Sequence, residues 1–425
     1  MRQHIGQWLG VALWLVPVLG LCGWAGVAAL PGLEARDIGG TLCSAGSSAI
    51  RKARPASPLL REVRTSPVDT LPGMPPVPDP RNLYSAAAAG QLSAAVDGAL
   101  SRIYVPNLRS NNVYVLDPQR LVVVDRFKVG FSPQHVVPSW DLQTLWVANN
   151  GTRRRYGSLT PIDPKTGRPG QAIPVDDPYN LYFTPDGHSA IVVAERRKRL
   201  DFRDPHTMAL QQSIPVPGCS GINHAEFSID GHYAIFTCEF RGGGLVKVDL
   251  VNHQVVGYLR LGKRGMPQDI RISPDGTTFY VADMRADGVY LVDGDSFRQI
   301  DFIPTGVGTH GLYPSRDATK LYVANRGSHK IHGPPHGRGS IAVIDFASRK
   351  VEKTWPIPGG GSPDMGNVTA DGRQLWLSGR FDNAVYDIDT ETGAVKSIPV
   401  GLEPHGLTVW PQPGRYSLGH TGNMR

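Results

Sequence analysis

The chain has 425 residues, with 49 Gly, 36 Pro and only 19% charged residues. That balance suits an all-β protein with many tight turns and argues against a helical one. The formal net charge of +7 comes from scattered basic residues. No aromatic-interleaved basic groove stands out, so no nucleic-acid partner is expected.

The N-terminus reads as an address. Arg2 and His4 precede an uncharged apolar run, Ile5–Leu33. About 20 such residues suffice to span a bilayer. Residues 1–33 are expected to be a signal peptide, cleaved near Ala25–Ala29, or a membrane anchor with Arg2 on the inner side. Either reading exports the rest of the chain to the periplasm or cell surface. Residues 34–81 are rich in Pro, Ser, Arg and Ala without periodicity, and read as an extended or disordered linker. Residues 82–101 read as a short helix or a cover for one face of the domain that follows, which is expected over 82–425. Cys22 lies in the export segment and Cys43 in the linker. Cys219 and Cys238 are 19 residues apart, at the same end of one repeat. In an oxidising compartment they are expected to form a disulfide, the alternative being two buried thiols.

From Arg102 the chain repeats. Each unit opens on a polar residue, runs through a short apolar strand and reaches a turn such as SPDG. The leading residues are His135, Asn180, His224, Asp269, His310, Asp364 and His405, spaced 45, 44, 45, 41, 54 and 41 apart. Three further strands follow in each unit. Periods near 40–45 residues with four strands each predict a propeller, here all-β with seven blades. The first unit, beginning RIYVPN, lacks a leading strand, while the chain ends on an orphan one, HGLTVWP. That C-terminal strand is expected to complete the first blade and close the ring. A tail, 414–425, is left over.

The segments YVPN (104–107), WVAN (146–149), YVAD (280–283) and YVAN (322–325), with their SPDG and TPDG turns, resemble the YVTN-type β-propeller repeat proteins of bacteria and archaea. The resemblance covers roughly residues 102–413 and departs from the motif at FTCE and WLSG. It implies the fold and leaves the activity open.

The leading strand of a blade lines the central channel. The seven leading residues should therefore ring one mouth, with the ends of the second strands close behind. Imidazoles and carboxylates converging in a concave, partly desolvated place suit a transition metal. The expected ligands are His135, His224, His310 and His405, joined by His420 if the tail folds back over the channel. Asn180, Glu195, Glu239, Asp269, Asp283, Arg326, Asp364 and Arg380 are expected to orient them or to hold a substrate. Arg241, Arg285, Arg326 and Arg380 follow second strands and suit a small anion. The loop His329, His332, His336 is a second place where Zn or Cu could be captured. There is no C-x-x-C-H, so no covalent haem is expected. Nucleotide loops, a nucleophile elbow and an H-E-x-x-H zinc motif are also missing.

In architecture the chain is similar to the propeller domains of nitrous oxide reductase and thiocyanate dehydrogenase, where imidazoles at a channel mouth bind copper. The expected function is an exported metal-binding propeller, copper ahead of zinc, acting as a metal-dependent oxidoreductase on a small-molecule partner. The alternatives are a non-catalytic carrier of metal or of a haem d1-like tetrapyrrole, and a surface scaffold.

Overall fold

The computed structural model describes residues 66–425 apart from 153–155, 334–336 and 421. The expected export segment, with Cys22, lies outside the described residues, as do Cys43 and the linker up to 65. Among the described residues no helix is long and apolar enough to cross a membrane.

Seven four-stranded antiparallel sheets form seven blades. Blade 2, for example, runs outward through Pro133–Pro138, Leu145–Asn149, Ser158–Ile162 and Ile173–Pro174. The innermost strands of blades 3 to 7 are Pro178–Phe183, Ile222–Phe227, Pro267–Ile272, Thr309–Pro314 and Pro363–Val368. Blade 1 is built from both ends of the propeller sequence. Thr408–Trp410 supplies its inner strand and pairs antiparallel with Arg102–Asn107, with Ile103 opposite Val409. The C-terminal strand closes the ring and gives Arg102–Asn107 its inner partner, as ring closure in a propeller requires.

Apolar packing follows the same plan. Seven hydrophobic clusters each fill the gap between two neighbouring blades. Inner and second strands are buried on both faces, which is why VAN- and VVA-like segments read as continuous apolar runs. Outer strands such as Val122–Lys128 are mostly exposed, the three valines Val122, Val123 and Val124 included.

Two segments close the face opposite the leading residues. The linker expectation for 34–81 does not hold at its end. Leu71 and Met74 are buried, and the Leu71 amide bonds to Asp230 O in the turn of blade 4. The apolar residues of LPGM give that stretch something to bury, so it is ordered. Residues 82–101 form two short 3-10 turns, Ser85–Ala87 and Ala94–Val96, with Tyr84 Oη donating to Ile272 O.

The tail is the second closure. Gly414–Arg425 folds into a hairpin that enters the channel from this face. Ser417 bridges Met424, and Gly419 bridges Tyr182 of the blade 3 inner strand. The Phe183 amide donates to Leu418 O, and the His420 amide donates to Leu181 O. Gly419 is required here: its φ is +84°, and a Cβ would meet Leu181 O at 2.4 Å. Tyr416 stacks on Trp140, and Arg425 pairs with buried Glu226.

The hairpin is thus a plug held by packing and paired backbone. Leu418→Ala should cost about 2–5 kcal/mol in denaturant unfolding, whereas exposed Leu402→Ala should change stability by less than about 0.5 kcal/mol. Equal effects of the two would contradict a packed plug.

Candidate metal centre

The inner strands of blades 2 to 7 share one irregularity. Their pairing with the second strand slips at or beside the leading residue, as between Pro133 and His135 and between Pro178 and Asn180. A bulge re-aims side chains. Here both the leading residue and the one before it reach the channel region.

The five histidines meet. His135 has its ring centroid 5.3 Å from His224, 5.1 Å from His420 and 4.8 Å from His405. His224 lies 4.5 Å from His420 and 6.4 Å from His310, and His310 lies 6.0 Å from His405. His135, His224 and His420 each offer a ring nitrogen within 4.8 Å of the others. His420 arrives on the tip of the tail hairpin, so the plug that closes the channel also delivers an imidazole.

All five are buried, and burial pulls their pKa values down. His135, His224 and His420 are held well below the ordinary value. Burial, outweighing the pull of Asp364, lowers His405 to about 3; burial and then Arg326 lower His310 to about 4. The rings are neutral at neutral pH, the form that donates a lone pair to a metal.

Partners divide the five into two groups. The Asp364 carboxylate lies 2.9 Å from His310 Nδ1 and 2.7 Å from His405 Nδ1, one oxygen to each. Burial alone would raise the Asp364 pKa, but Arg326, His310 and His405 hold it well below the usual carboxylate range. An ionised carboxylate only accepts, so both Nδ1 atoms carry the proton and both Nε2 atoms keep their lone pairs. Tyr179 Oη lies 3.4 Å from His405 Nε2. The inner group is different. Asn180 Nδ2 lies 2.9 Å from His420 Nδ1 and 3.3 Å from His224 Nδ1. His224 Nε2 and both ring nitrogens of His135 are buried without a hydrogen-bond partner. Such atoms normally cost about 1–3 kcal/mol each. Gly406 fits against His135 only because it has no side chain: a Cβ would stand 2.0 Å from Nδ1.

Above the histidines opens a cavity of about 540 Å³. Its lining includes His310, His405, Tyr179, Glu195, Glu239 and Arg380. Asp269 lies deeper, accepting from Arg271 and from the Leu312 amide, with His420 Nε2 3.4 Å away. Arg326 lines the cavity and is paired to Asp364.

Asp283 does not join this site. Its carboxylate is spent on the amides of Met266, Arg285 and Ala286, capping a surface turn. Asn107, Asn149 and Asn325 likewise bond within their own blades. Arg241 lies at a separate pocket of about 310 Å³. The His-rich loop does not gather: His329 pairs with Asp287 and His332 with Glu403, and His336 is outside the described residues. Cys219 and Cys238 form a disulfide, and the residues next to both, Ser220, Gly221, Glu239 and Phe240, line the cavity. Sequence reasoning missed Tyr179, Gln134 and Gln268, which precede leading residues and line the cavity. Their signal was position: one place before a bulge.

Residues 70–413 match the YNCE-like β-propeller family. No curated protein matches the chain in sequence. A putative 6-phosphogluconolactonase from Bacteroides uniformis superposes with a TM-score of 0.59 at 17% identity, covering 72% of this chain and 99% of that one. The periplasmic gluconolactonase PpgL of Pseudomonas aeruginosa gives 0.58 at 18% identity, covering 72% and 98%. The dihydro-heme d1 dehydrogenase NirN gives 0.53 at 16% identity, covering 73% and 75%. At such identities the likeness is one of fold.

Glu195 supplies a test of the site's electrostatics. Burial, then neighbouring Glu239, push its carboxyl from 4.5 up to about 8. A folded-state pKa above the unfolded one favours folding below the unfolded value, and that favour is lost as pH rises towards about 8. Glu195→Gln should therefore gain stability over wild type as pH rises from about 5 to about 8, by on the order of a few kcal/mol. Urea unfolding of chelator-treated protein reads this, and a difference that is flat with pH would contradict it.

Proposed function

The chain belongs to the YNCE-like β-propeller family, and on that scaffold we propose a metal-binding protein whose imidazole cluster holds one or more transition-metal ions. The observation that carries this is the set of buried imidazole nitrogens of His135 and His224 that have no partner, gathered with His420. Unpaired buried polar atoms call for a partner, and here three of them are imidazole nitrogens gathered in one place. Neutral nitrogen donors in a site without thiolates suit copper, and zinc after it.

The finer reading is a copper-dependent oxidoreductase. A copper ion would supply one-electron chemistry to a small molecule in the cavity. Around it the chain's own groups have definite parts. Asp364 keeps a proton on Nδ1 of His310 and His405, so that their Nε2 atoms point lone pairs away from it. Tyr179 places a hydroxyl against His405. Glu195, pushed up to about 8, carries a proton into the neutral range. The Cys219–Cys238 disulfide suits an oxidising compartment, which supports export by the N-terminal segment to the periplasm or cell surface. A tetrapyrrole fits less well, because only His310 and His405 of the five line the cavity.

Metal analysis of protein prepared without a His tag tests the proposal. We expect stoichiometric copper after reconstitution, lost in a His135→Ala, His224→Ala double variant of unchanged circular dichroism. Deleting residues 328–337 should leave it in place. Wild-type protein that takes up no Cu, Zn or Fe, or metal that leaves with the loop, would overturn the proposal.

A further inference from the structure

Arg380 stands at the end of the second strand of blade 7, Gln374–Gly379, and is only 3% exposed. Its neighbour Arg326 is fully engaged, with Nε and Nη2 at 2.9 and 2.6 Å from Asp364 Oδ1. Arg380 is not. Among the described residues the one carboxylate within 4 Å is Asp364, whose Oδ2 is 3.7 Å away and already takes His405 Nδ1 at 2.7 Å. Arg380 Nη2 finds only His332 Nδ1, at 3.4 Å, and its Nε is buried without a partner. Two guanidinium cations thus share one carboxylate. A buried cation without its own counter-charge is expensive, and this one faces the cavity. The other carboxylates of the lining, Glu195 and Glu239, are pushed by burial towards their neutral forms.

The surroundings have the same sign. Seven loops follow the second strands on this face, and their described residues are 108–111, 150–152, 156–157, 195–198, 239–243, 284–287, 326–333, 337–339 and 380–383. Together these carry ten Lys or Arg against four Asp or Glu, an excess of six. The whole chain has an excess of seven, so most of its net positive charge is carried by these loops. Charge concentrated round one cleft raises the local concentration of the opposite ion and its rate of arrival.

We propose that the cavity receives a small oxyanion, an inorganic oxyanion or a carboxylate, gripped by the Arg380 guanidinium, with the Tyr179 hydroxyl beside it. The planar fork matches two oxygens of such an anion at once. This deepens the metal reading by naming the ligand class of the same cavity, and rests on it only in taking that cavity as the place of reaction.

The test is calorimetric titration of metal-free, tag-free protein with nitrite, nitrate, sulfate, formate and acetate, at low and moderate ionic strength. Saturable binding of at least one of these is expected, weaker at higher salt. Arg380→Met should weaken it at least about tenfold, and Arg380→Lys less. Binding confined to the first three would mark the ligand as inorganic; binding confined to the last two would mark an organic acid. The His135→Ala, His224→Ala variant should bind these anions as wild type does, so the failure of the metal reading and of this one are told apart. No saturable binding by wild type would overturn the inference, as would unchanged affinity in folded Arg380→Met. Should Arg380→Met not fold, Arg380→Gln and the wild-type titrations decide.

Discussion

One buried carboxylate ties the site to the ring. Asp364 leads the inner strand of blade 7, yet its closest partners come from elsewhere: His310 and Arg326 from blade 6, and His405 from the segment entering the closing strand of blade 1. Fully desolvated, an ion pair of this kind is strongly destabilising when one partner is removed. The carboxylate therefore fixes the tautomers of two imidazoles and clamps three consecutive blades at the place where the ring closes. His405 belongs to both functions at once, since Thr408–Trp410 follows it directly in the chain.

The second constraint is desolvation. A seven-bladed channel is wide enough to admit water, and imidazoles on its wall would then be hydrated. The tail hairpin prevents this by filling the channel from the opposite face and placing His420 among the others. With the floor closed, the histidines are reached from the cavity at the mouth, whose lining is charged and aromatic. Burial then keeps the rings neutral, and neutral rings are what a metal ion needs. Fold, plug and chemistry depend on one another in that order.

Much of this was legible in the residues. The spacing of the leading residues gave the blade count, and the orphan strand at His405 gave the closure, because both follow from strand length and period. Convergence of His135, His224, His310 and His405 followed from the same register. His420 could be assigned only conditionally, since a tail of Gly, Ser, Tyr and His has no period that tells where it docks. Asp283 was misplaced for a local reason: an Asp ahead of a tight turn caps that turn's amides, and the register alone does not reveal it. Tyr179 and Arg380 were visible as residues, yet their importance rests on bulges and on the competition for Asp364, which are tertiary facts.

The most direct measurement is anomalous diffraction at the copper edge from crystals of copper-loaded, tag-free protein. The account predicts a peak among His135, His224 and His420, with imidazole nitrogens as its protein ligands. A peak at the loop bearing His329 and His332, or an imidazole cluster without any peak in fully loaded crystals, would contradict it.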